Sequence, residues 1–318
     1  MLVNKLRKVA VVGTGLVGSS TAFSLANQCV CEEIILIDIN KERAFGEVLD
    51  ISHGVEYFSS RTQIKTGEYK DCEDVDVVVI TAGAPPRAGQ TRLDTLEMSA
   101  KVVESIINPI MDSGFNGIFV MISNPVDIIT YHVWKLSGLP RNKVIGTGTS
   151  LDSARLKSLL SEQLGVDPRS IQAYSMGEHG DSQMVPWSHV YVGGKPFSKI
   201  REENPDTYGA LDLDALVLKT ANLGWDVVNR KGTTYYGIAS AAVGIIKSIL
   251  HNEKRVIPVS TIIEGVYNQD KPIAISVPAI IGIDGVEDVV VIDMTKEEEE
   301  KFDKSAKVIR DYISKLGY

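Results

Sequence analysis

The sequence lacks several features that mark common protein classes. Its three cysteines, Cys29, Cys31 and Cys72, form no C-x-x-C pair, so neither a disulfide framework nor a zinc site is indicated. No apolar run approaches the roughly 18 residues that a membrane-spanning helix needs. Lysine and arginine total 33 against 41 acidic residues, which leaves no basic excess to attract nucleic acid or anionic membranes. We therefore expect no metal, no nucleic-acid partner and no membrane association.

A targeting segment is not indicated either. The start, MLVNKLRKVAVVG, has a basic end and an apolar stretch, but that stretch is too short for a signal peptide and no small-residue cleavage site follows. We expect a cytoplasmic protein with reduced thiols. The 318 residues, 44% of them hydrophobic, suffice for one large or two smaller globular domains.

The first half of the chain contains short apolar runs rich in β-branched residues, most of them separated by longer helical stretches. Because these runs are apolar throughout rather than alternating, they suit strands buried on both faces of a parallel sheet. The predicted strands are residues 8–13, 33–38, 76–83, 117–123 and 143–148. We predict an α/β domain over residues 1–149, with a doubly wound parallel sheet covered by helices.

The second half follows another pattern. Residues 172–197 and 255–265 have the composition of strands and are expected in another sheet, whereas residues 213–232 and 234–250 are typical of helices. We therefore predict an α+β domain over residues 150–318.

A structural helix is predicted near the C-terminus. Thr295 stands three residues before Glu298, the spacing of a capping box. Four apolar residues share one face of this predicted helix. They are Phe302, Ala306, Ile309 and Ile313.

A glycine-rich motif follows the first predicted strand. VVGTGLVGSS places Gly13, Gly15 and Gly18 in the G-x-G-x-x-G spacing and leads into an apolar helix. Glycines also mark ordinary turns, but the strand before and the helix after favour a Rossmann dinucleotide site. There the first glycine permits a tight turn, the second lets the backbone approach a pyrophosphate, and the third allows close helix packing. Asp38 closes the next strand and would accept hydrogen bonds from ribose hydroxyls, so NAD is favoured over NADP.

Three residues of the second half suit a hydride-transfer site. His179 lies in GEHGD between two glycines, whose backbone freedom can aim a side chain into a cleft, although a polar turn is an alternative. Asp152 and Arg155 in GTSLDSARLK share one face of a predicted helical turn, with a surface ion pair as the alternative. Reduction of a 2-oxo acid needs a proton donor, a cation for the carboxylate and a donor that polarises the carbonyl.

Six segments resemble the L-lactate and malate dehydrogenase family in order and spacing, over nearly the full chain, and are most similar to its bacterial L-lactate-specific members. They are GTGLVG, TAGAPPRAGQTRLD, SNPVD, GTSLDSARLK, GEHGDSQMVPWSH and RKGTTYYGIA. The resemblance implies an NAD-dependent enzyme that reduces pyruvate to L-lactate reversibly, in fermentative glycolysis.

The resemblance also implies roles for the catalytic residues. His179 matches the proton donor and acceptor, and Asp152 matches the carboxylate that orients its imidazole and raises the pKa of His179. Arg155 matches the residue that binds the substrate carboxylate through two hydrogen bonds. Arg92 matches the residue that polarises the carbonyl after the loop at residues 83–94 closes as a lid over the site.

Further contacts follow from the same resemblance. Asn124 and Thr234 match substrate contacts, although Thr233 leaves the second assignment open, and Asp152 and Pro86 also line the predicted substrate site. The implied cofactor contacts are Gly13, Gly15, Val17, Gly18, Asp38, Gly83, Ala84, Ile122 and Asn124.

Three departures from the family's pattern bear on the substrate and on regulation. Pro86 stands where lactate enzymes usually carry glutamine and malate enzymes arginine, which disfavours oxaloacetate. Gly224 stands in the helix expected to wall the substrate side chain, where alanine is frequent, so broader side-chain tolerance is expected. Lys157 and Gln172 stand at the positions of an arginine and a histidine that bind fructose 1,6-bisphosphate between subunits. We therefore expect weak or absent activation by that sugar phosphate.

Other functions are compatible with parts of this pattern. A broader L-2-hydroxy acid dehydrogenase resembling the hydroxyisocaproate enzymes, a malate dehydrogenase and a non-catalytic NAD-binding protein are the alternatives. The family resemblance further implies a homotetramer.

Overall fold

The computed structural model describes residues 6–59, 61–83 and 92–318, without the side chains of residues 92–95. Strands and helices alternate in the first part. The strands are β1 (Lys8–Val12), β2 (Glu33–Ile37), β3 (Gln63–Thr66), β4 (Val77–Ile80), β5 (Ile118–Met121) and β6 (Val144–Gly146). The helices are α1 (Leu16–Asn27), α2 (Lys41–Gly54), α3 (Arg92–Asp112) and α4 (Val126–Ser137).

The second part contains longer helices and two groups of strands. The helices are α5 (Ser150–Leu164), α6 (Phe197–Glu203), α7 (Leu213–Lys231), α8 (Tyr236–Leu250) and α9 (Lys296–Lys315). The strands are β7 (Ile171–Gln172), β8 (Tyr191–Val192), β9 (Lys195–Pro196), β10 (Arg255–Ile263), β11 (Ile273–Gly282) and β12 (Gly285–Val289).

The first six strands form a parallel, doubly wound sheet in the order β6-β5-β4-β1-β2-β3. The predicted strands are confirmed as β1, β2, β4, β5 and β6, and their apolar residues are buried on both faces. Between β1 and β4 the order of the strands reverses, and the carboxyl ends on either side of such a reversal are where α/β proteins bind ligands.

One predicted sheet assignment is wrong. β10 was expected in a separate sheet, but it pairs antiparallel with β6 and β11, so β10–β12 extend the parallel sheet to nine strands. Ser260 of β10 stands opposite Gly146 of β6, where a Cβ would lie 2.9 Å from the Ser260 Cβ. Glycine lets the two backbones pair this closely, a contact that neither segment reveals alone. A separate sheet does form from β7, β8 and β9.

The helices predicted for the second half are confirmed as α7, α8 and α9. Thr295 accepts a bond from the Glu298 amide at 3.4 Å, and the Thr295 amide donates to the Glu298 carboxylate at 2.9 Å. The four predicted apolar residues of α9 are buried. Within the described part of the chain, no helix is long and apolar enough to cross a bilayer.

Candidate active site

The glycine motif forms a tight turn between β1 and α1. Gly13 has φ +94°, and a Cβ on Gly18 would lie 1.8 Å from the Gly13 carbonyl oxygen. A Cβ on Gly15, by contrast, would meet no atom within 4 Å. Gly15 directly precedes the first residue of α1, so open space faces the amide groups at the start of this helix. That space suits the pyrophosphate of a dinucleotide.

Asp38 lies beside this turn, at the end of β2. Its Oδ2 accepts hydrogen bonds from the Thr14 amide at 2.6 Å and the Thr14 hydroxyl at 2.9 Å. The Asn40 amide donates to Oδ1 at 2.8 Å. Burial raises the pKa of Asp38, but these hydrogen bonds outweigh burial and lower it. Asp38 is therefore a fixed carboxylate, as recognition of ribose hydroxyls requires.

The other predicted cofactor residues follow strands that end at the same edge. Gly83 is exposed after β4, Ile122 is buried after β5, and Asn124 is exposed beyond it. Val17 is half-buried on α1. All four therefore belong to segments that meet at the carboxyl edge of the sheet.

Part of the predicted lid lies beyond what is described. Ala84 and Pro86 lie outside the described residues. Arg92 begins α3, and its side chain likewise lies outside them. The roles assigned to these three residues stay predictions.

Asp152 joins the histidine and the arginine of the predicted catalytic set. Its Oδ2 lies 2.6 Å from His179 Nδ1, and its Oδ1 accepts a bond from Arg155 Nη1 at 3.0 Å. The side chain of Asp152 is 2% exposed and that of Arg155 is 16% exposed. The alternative of a surface ion pair is therefore wrong, because both partners lie in the interior of the site.

The two ionisable groups of this contact stabilise each other's charge. Burial lowers the pKa of His179, but the charge and hydrogen bond of Asp152 outweigh it and raise the pKa to about 9. Burial raises the pKa of Asp152, and His179 and Arg155 together hold it below its usual value. Since a carboxylate can only accept, His179 donates from Nδ1 and keeps Nε2 for a substrate.

The loop that carries His179 is anchored through its backbone. Gly177 has φ +90° and pairs in both directions with Ser276 of β11. The His179 amide donates to Asp127 Oδ2 at 2.7 Å. No role was predicted for Asp127, although it ends the SNPVD segment; its position in the first turn of α4 is otherwise only the weak signal of an acidic residue at a helix start.

Gly224 and Thr234 were predicted to line the substrate site. A Cβ on Gly224 of α7 would lie 3.6 Å from Arg155 Nη2, so α7 does pass beside this guanidinium. Thr234 is half-buried in the segment between α7 and α8. A substrate contact by Thr234, as by Asn124, stays a prediction.

A bound metal has no candidate ligand set in the described ranges. Among residues 6–59, 61–83 and 92–318, no three histidine, cysteine, aspartate or glutamate side chains are grouped to hold an ion. The three cysteines are unpaired thiols.

Two family models match consecutive parts of the chain. The lactate/malate dehydrogenase NAD-binding domain matches residues 7–146. The alpha/beta C-terminal domain of the same family matches residues 149–317.

Curated relatives and solved structures match over nearly the whole length. L-lactate dehydrogenase 3 of Bacillus cereus is 57% identical over 98% of both chains. L-lactate dehydrogenase 1 of the same species is 44% identical over 97% of this chain and 98% of its own. The ligand-bound crystal structure of the minor L-lactate dehydrogenase from Enterococcus mundtii superposes with a TM-score of 0.94 at 41% identity, covering 97% of this chain and 98% of that one.

Proposed function

Since the chain belongs to the lactate/malate dehydrogenase family, we propose that it catalyses the reversible, NADH-dependent reduction of pyruvate to L-lactate. The observation that carries the proposal is the Asp152 carboxylate, which is bonded to both His179 and Arg155. This contact gives the site one proton donor and one cation at fixed positions. The protein is an NAD-binding oxidoreductase of this family.

The residues at the carboxyl edge of the sheet fit a dinucleotide. Gly13, Gly15 and Gly18 would hold the pyrophosphate and Asp38 the adenosine ribose, with Val17, Gly83, Ala84, Ile122 and Asn124 as further contacts. The hydride for the carbonyl carbon would come from NADH held by these residues. The open space over Gly15 and the fixed carboxylate of Asp38 support this assignment.

The remaining steps belong to side chains of this chain. Arg155 binds the carboxylate of the 2-oxo acid through its planar guanidinium, and Thr234 and Asn124 line the site. Arg92 polarises the carbonyl when the lid closes, while protonated His179 delivers a proton from Nε2 to the developing alkoxide. Asp152 holds the imidazole in orientation and stabilises its charge. In lactate oxidation, neutral His179 accepts that proton.

The wider setting is proposed along with the reaction. We assign residues 1–149 to cofactor binding and residues 150–318 to substrate binding and catalysis. We further propose a cytoplasmic homotetramer that serves fermentative glycolysis. Activation by fructose 1,6-bisphosphate is expected to be weak or absent, because Gln172 is neutral where the family's sugar phosphate site has a histidine.

The alternative activities are not favoured by the named relatives, which are L-lactate dehydrogenases. A protein without catalytic activity would not need a buried carboxylate with two charged partners. The intact contacts of Asp152 therefore argue against a non-catalytic protein.

Initial rates of NADH oxidation test the function. Pyruvate, 2-oxoisocaproate, phenylpyruvate and oxaloacetate are compared with and without fructose 1,6-bisphosphate, and NADPH replaces NADH in a parallel series. We expect the highest kcat/KM with pyruvate and NADH. The His179→Asn variant should bind NADH with unchanged affinity while turnover falls by about 10²–10⁴-fold.

Three outcomes would contradict the proposal. Preference for oxaloacetate would favour a malate dehydrogenase, and full turnover by His179→Asn would refute the assigned proton donor. A large fall in the half-saturating pyruvate concentration with the sugar phosphate would refute the predicted loss of activation.

A further inference from the structure

A second buried carboxylate contacts the backbone of His179. Asp127, in the first turn of α4, is 1% exposed. Its Oδ2 accepts the bond from the His179 amide at 2.7 Å, and its Oδ1 accepts a bond from the Ser276 hydroxyl at 3.3 Å. Asp127 thus reaches the catalytic loop from the cofactor side of the molecule, 52 residues away in sequence.

Ser276 links this contact to the helix that carries Asp152. The Ser276 hydroxyl accepts a bond from the Thr149 amide at 3.2 Å, and Thr149 is the residue that precedes α5. The backbone of Ser276 also pairs with Gly177. One network therefore connects α4, the His179 loop and the start of α5, so a shift of Asp127 would move the imidazole relative to Asp152.

Hydrogen bonding alone does not explain a charged residue here. An asparagine could accept the same amide bond without the cost of burying a charge. Burial raises the pKa of Asp127 to about 6, so the group is mostly ionised at neutral pH. Its negative charge raises the pKa of His179, in addition to the larger effect of Asp152.

Other charged groups surround the two residues. Asp152 and Arg155 face His179 from α5, and the charge of Arg155 lowers the pKa of His179. Glu178 repels Asp127, but its own carboxylate accepts the Ser182 hydroxyl at 2.5 Å. Glu178 is therefore a nearby buried carboxylate with different contacts.

We propose that Asp127 is a positioning residue for proton transfer, which holds the backbone of His179 and adds its charge to that of Asp152 in favour of the protonated imidazole. The inference rests on the proposed reaction, because it concerns the proton that His179 exchanges with the substrate.

The test compares Asp127→Asn, Ser276→Ala and Glu178→Gln with the wild type in the full-length protein. Asp127→Asn removes the charge and retains an amide oxygen for the His179 amide. Ser276→Ala removes the hydrogen bond to Oδ1 and retains the charge. Glu178→Gln neutralises the neighbouring carboxylate. The readouts are kcat and KM for pyruvate from pH 5 to 10, and the Kd of NADH from its fluorescence.

Asp127→Asn should bind NADH with unchanged affinity, and its kcat should fall by up to about tenfold, since an amide oxygen accepts the His179 bond more weakly than a carboxylate and small misplacements of catalytic groups are costly. The alkaline limb of its kcat/KM profile should move to lower pH by roughly 0.5 to 1 unit. Glu178→Gln should retain the alkaline limb of the wild type. An unchanged alkaline limb in Asp127→Asn would overturn the proposal, because a merely structural role lowers kcat without moving it.

Ser276→Ala provides an independent result if Asp127→Asn does not fold. Ser276→Ala removes the hydrogen bond to Oδ1 and retains the charge of Asp127, so kcat should fall while the alkaline limb of the kcat/KM profile stays in place. An alkaline limb that moves in Ser276→Ala, where the charge is retained, would overturn the proposal. Absence of pyruvate reduction by the wild type would instead refute the proposed function.

Discussion

The Asp152 carboxylate determines the proton affinity of the site. It has one oxygen for His179 and one for Arg155 and is almost fully buried. A buried charge of this kind is stable only while both partners remain, since removing one leaves an uncompensated ion. In the proposed mechanism, substrate binding by Arg155 and proton transfer by His179 therefore both depend on this one side chain.

Asp152→Asn should displace the pH dependence of the reaction. Reduction uses protonated His179, so the wild-type kcat/KM for pyruvate should fall as pH rises through about 9. Oxidation uses the neutral form, so the kcat/KM for lactate should rise through the same pH. Without the carboxylate charge, burial lowers the pKa of His179, and both limbs should move to lower pH. Initial rates in both directions between pH 6 and 10 measure this shift.

Asp167→Asn is the matched control for this experiment. Asp167 is also bonded to an arginine, Arg169, but its side chain is 47% exposed. The pH profile of this variant should equal that of the wild type. If the limbs of the kcat/KM profiles of Asp152→Asn lie at the same pH as in the wild type, a group other than Asp152 raises the pKa of His179.

The proposed catalytic residues were predicted from the sequence, whereas the residue that holds the backbone of His179 was not. His179, Asp152 and Arg155 stand in short motifs with glycine neighbours or helical spacing, but these local patterns left other interpretations open, and the family resemblance was needed to predict their roles. Asp127 ends the quoted SNPVD segment, but no role was predicted for it. Its contact with His179 joins segments 52 residues apart, and its position at a helix start has an ordinary structural explanation.

Helix α7 carries a glycine that the structure does not require. A Cβ on Gly224 would be in ordinary van der Waals contact with Arg155, at 3.6 Å from Nη2. The residue lies inside the helix Leu213–Lys231, where glycine costs about 1 kcal/mol relative to alanine. Glycine at this position therefore leaves room beside the guanidinium, although it makes the helix less stable than alanine would.

Gly224→Ala should stabilise the protein by up to about 1 kcal/mol and reduce its tolerance of large substrates. Turnover of pyruvate should change little, whereas kcat/KM for 2-oxoisocaproate should fall, because the methyl group occupies space beside Arg155. Thermal unfolding and the ratio of the two kcat/KM values measure these effects.

Gly46→Ala in α2 is the matched control for Gly224→Ala. A Cβ there would meet no atom within 4 Å. Gly46→Ala should therefore increase helix stability without changing the relative kcat/KM of the two substrates. The steric explanation would be contradicted if Gly46→Ala lowered kcat/KM for 2-oxoisocaproate relative to that for pyruvate. It would also be contradicted if Gly224→Ala did not lower it.

Strands were predicted well only where both faces are buried. β4 and β5 are apolar along their whole length, and β1 and β2 are apolar after their first residue, a pattern that few other elements share. β3 was missed because its sequence, QIKT, is polar and mostly exposed at the sheet edge. The sheet to which β10 belongs depends on the backbone approach at Gly146, which is a property of the folded chain.

The nine-stranded sheet joins the two halves of the molecule around the catalytic loop. β6 and β10 connect the parallel and antiparallel parts, while Ser276 of β11 holds the loop before His179. His179 therefore lies where several elements depend on one another, and its protonation is coupled to folding.

Unfolding measurements on the wild type and on His179→Asn should reveal this coupling. In the folded protein the pKa of His179 is raised from 6.5 to about 9. The resulting stabilisation is fully present below pH 6.5 and is lost as pH rises through about 9. The stability difference between the two proteins should therefore decline by about 2–3 kcal/mol over this range, allowing for the 29% exposure of the side chain. Denaturant unfolding at pH 6, 7.5 and 9.5 measures it, and titrations of groups that do not interact with His179 cancel. A constant difference would mean that the pKa of His179 is the same in the folded and unfolded chains.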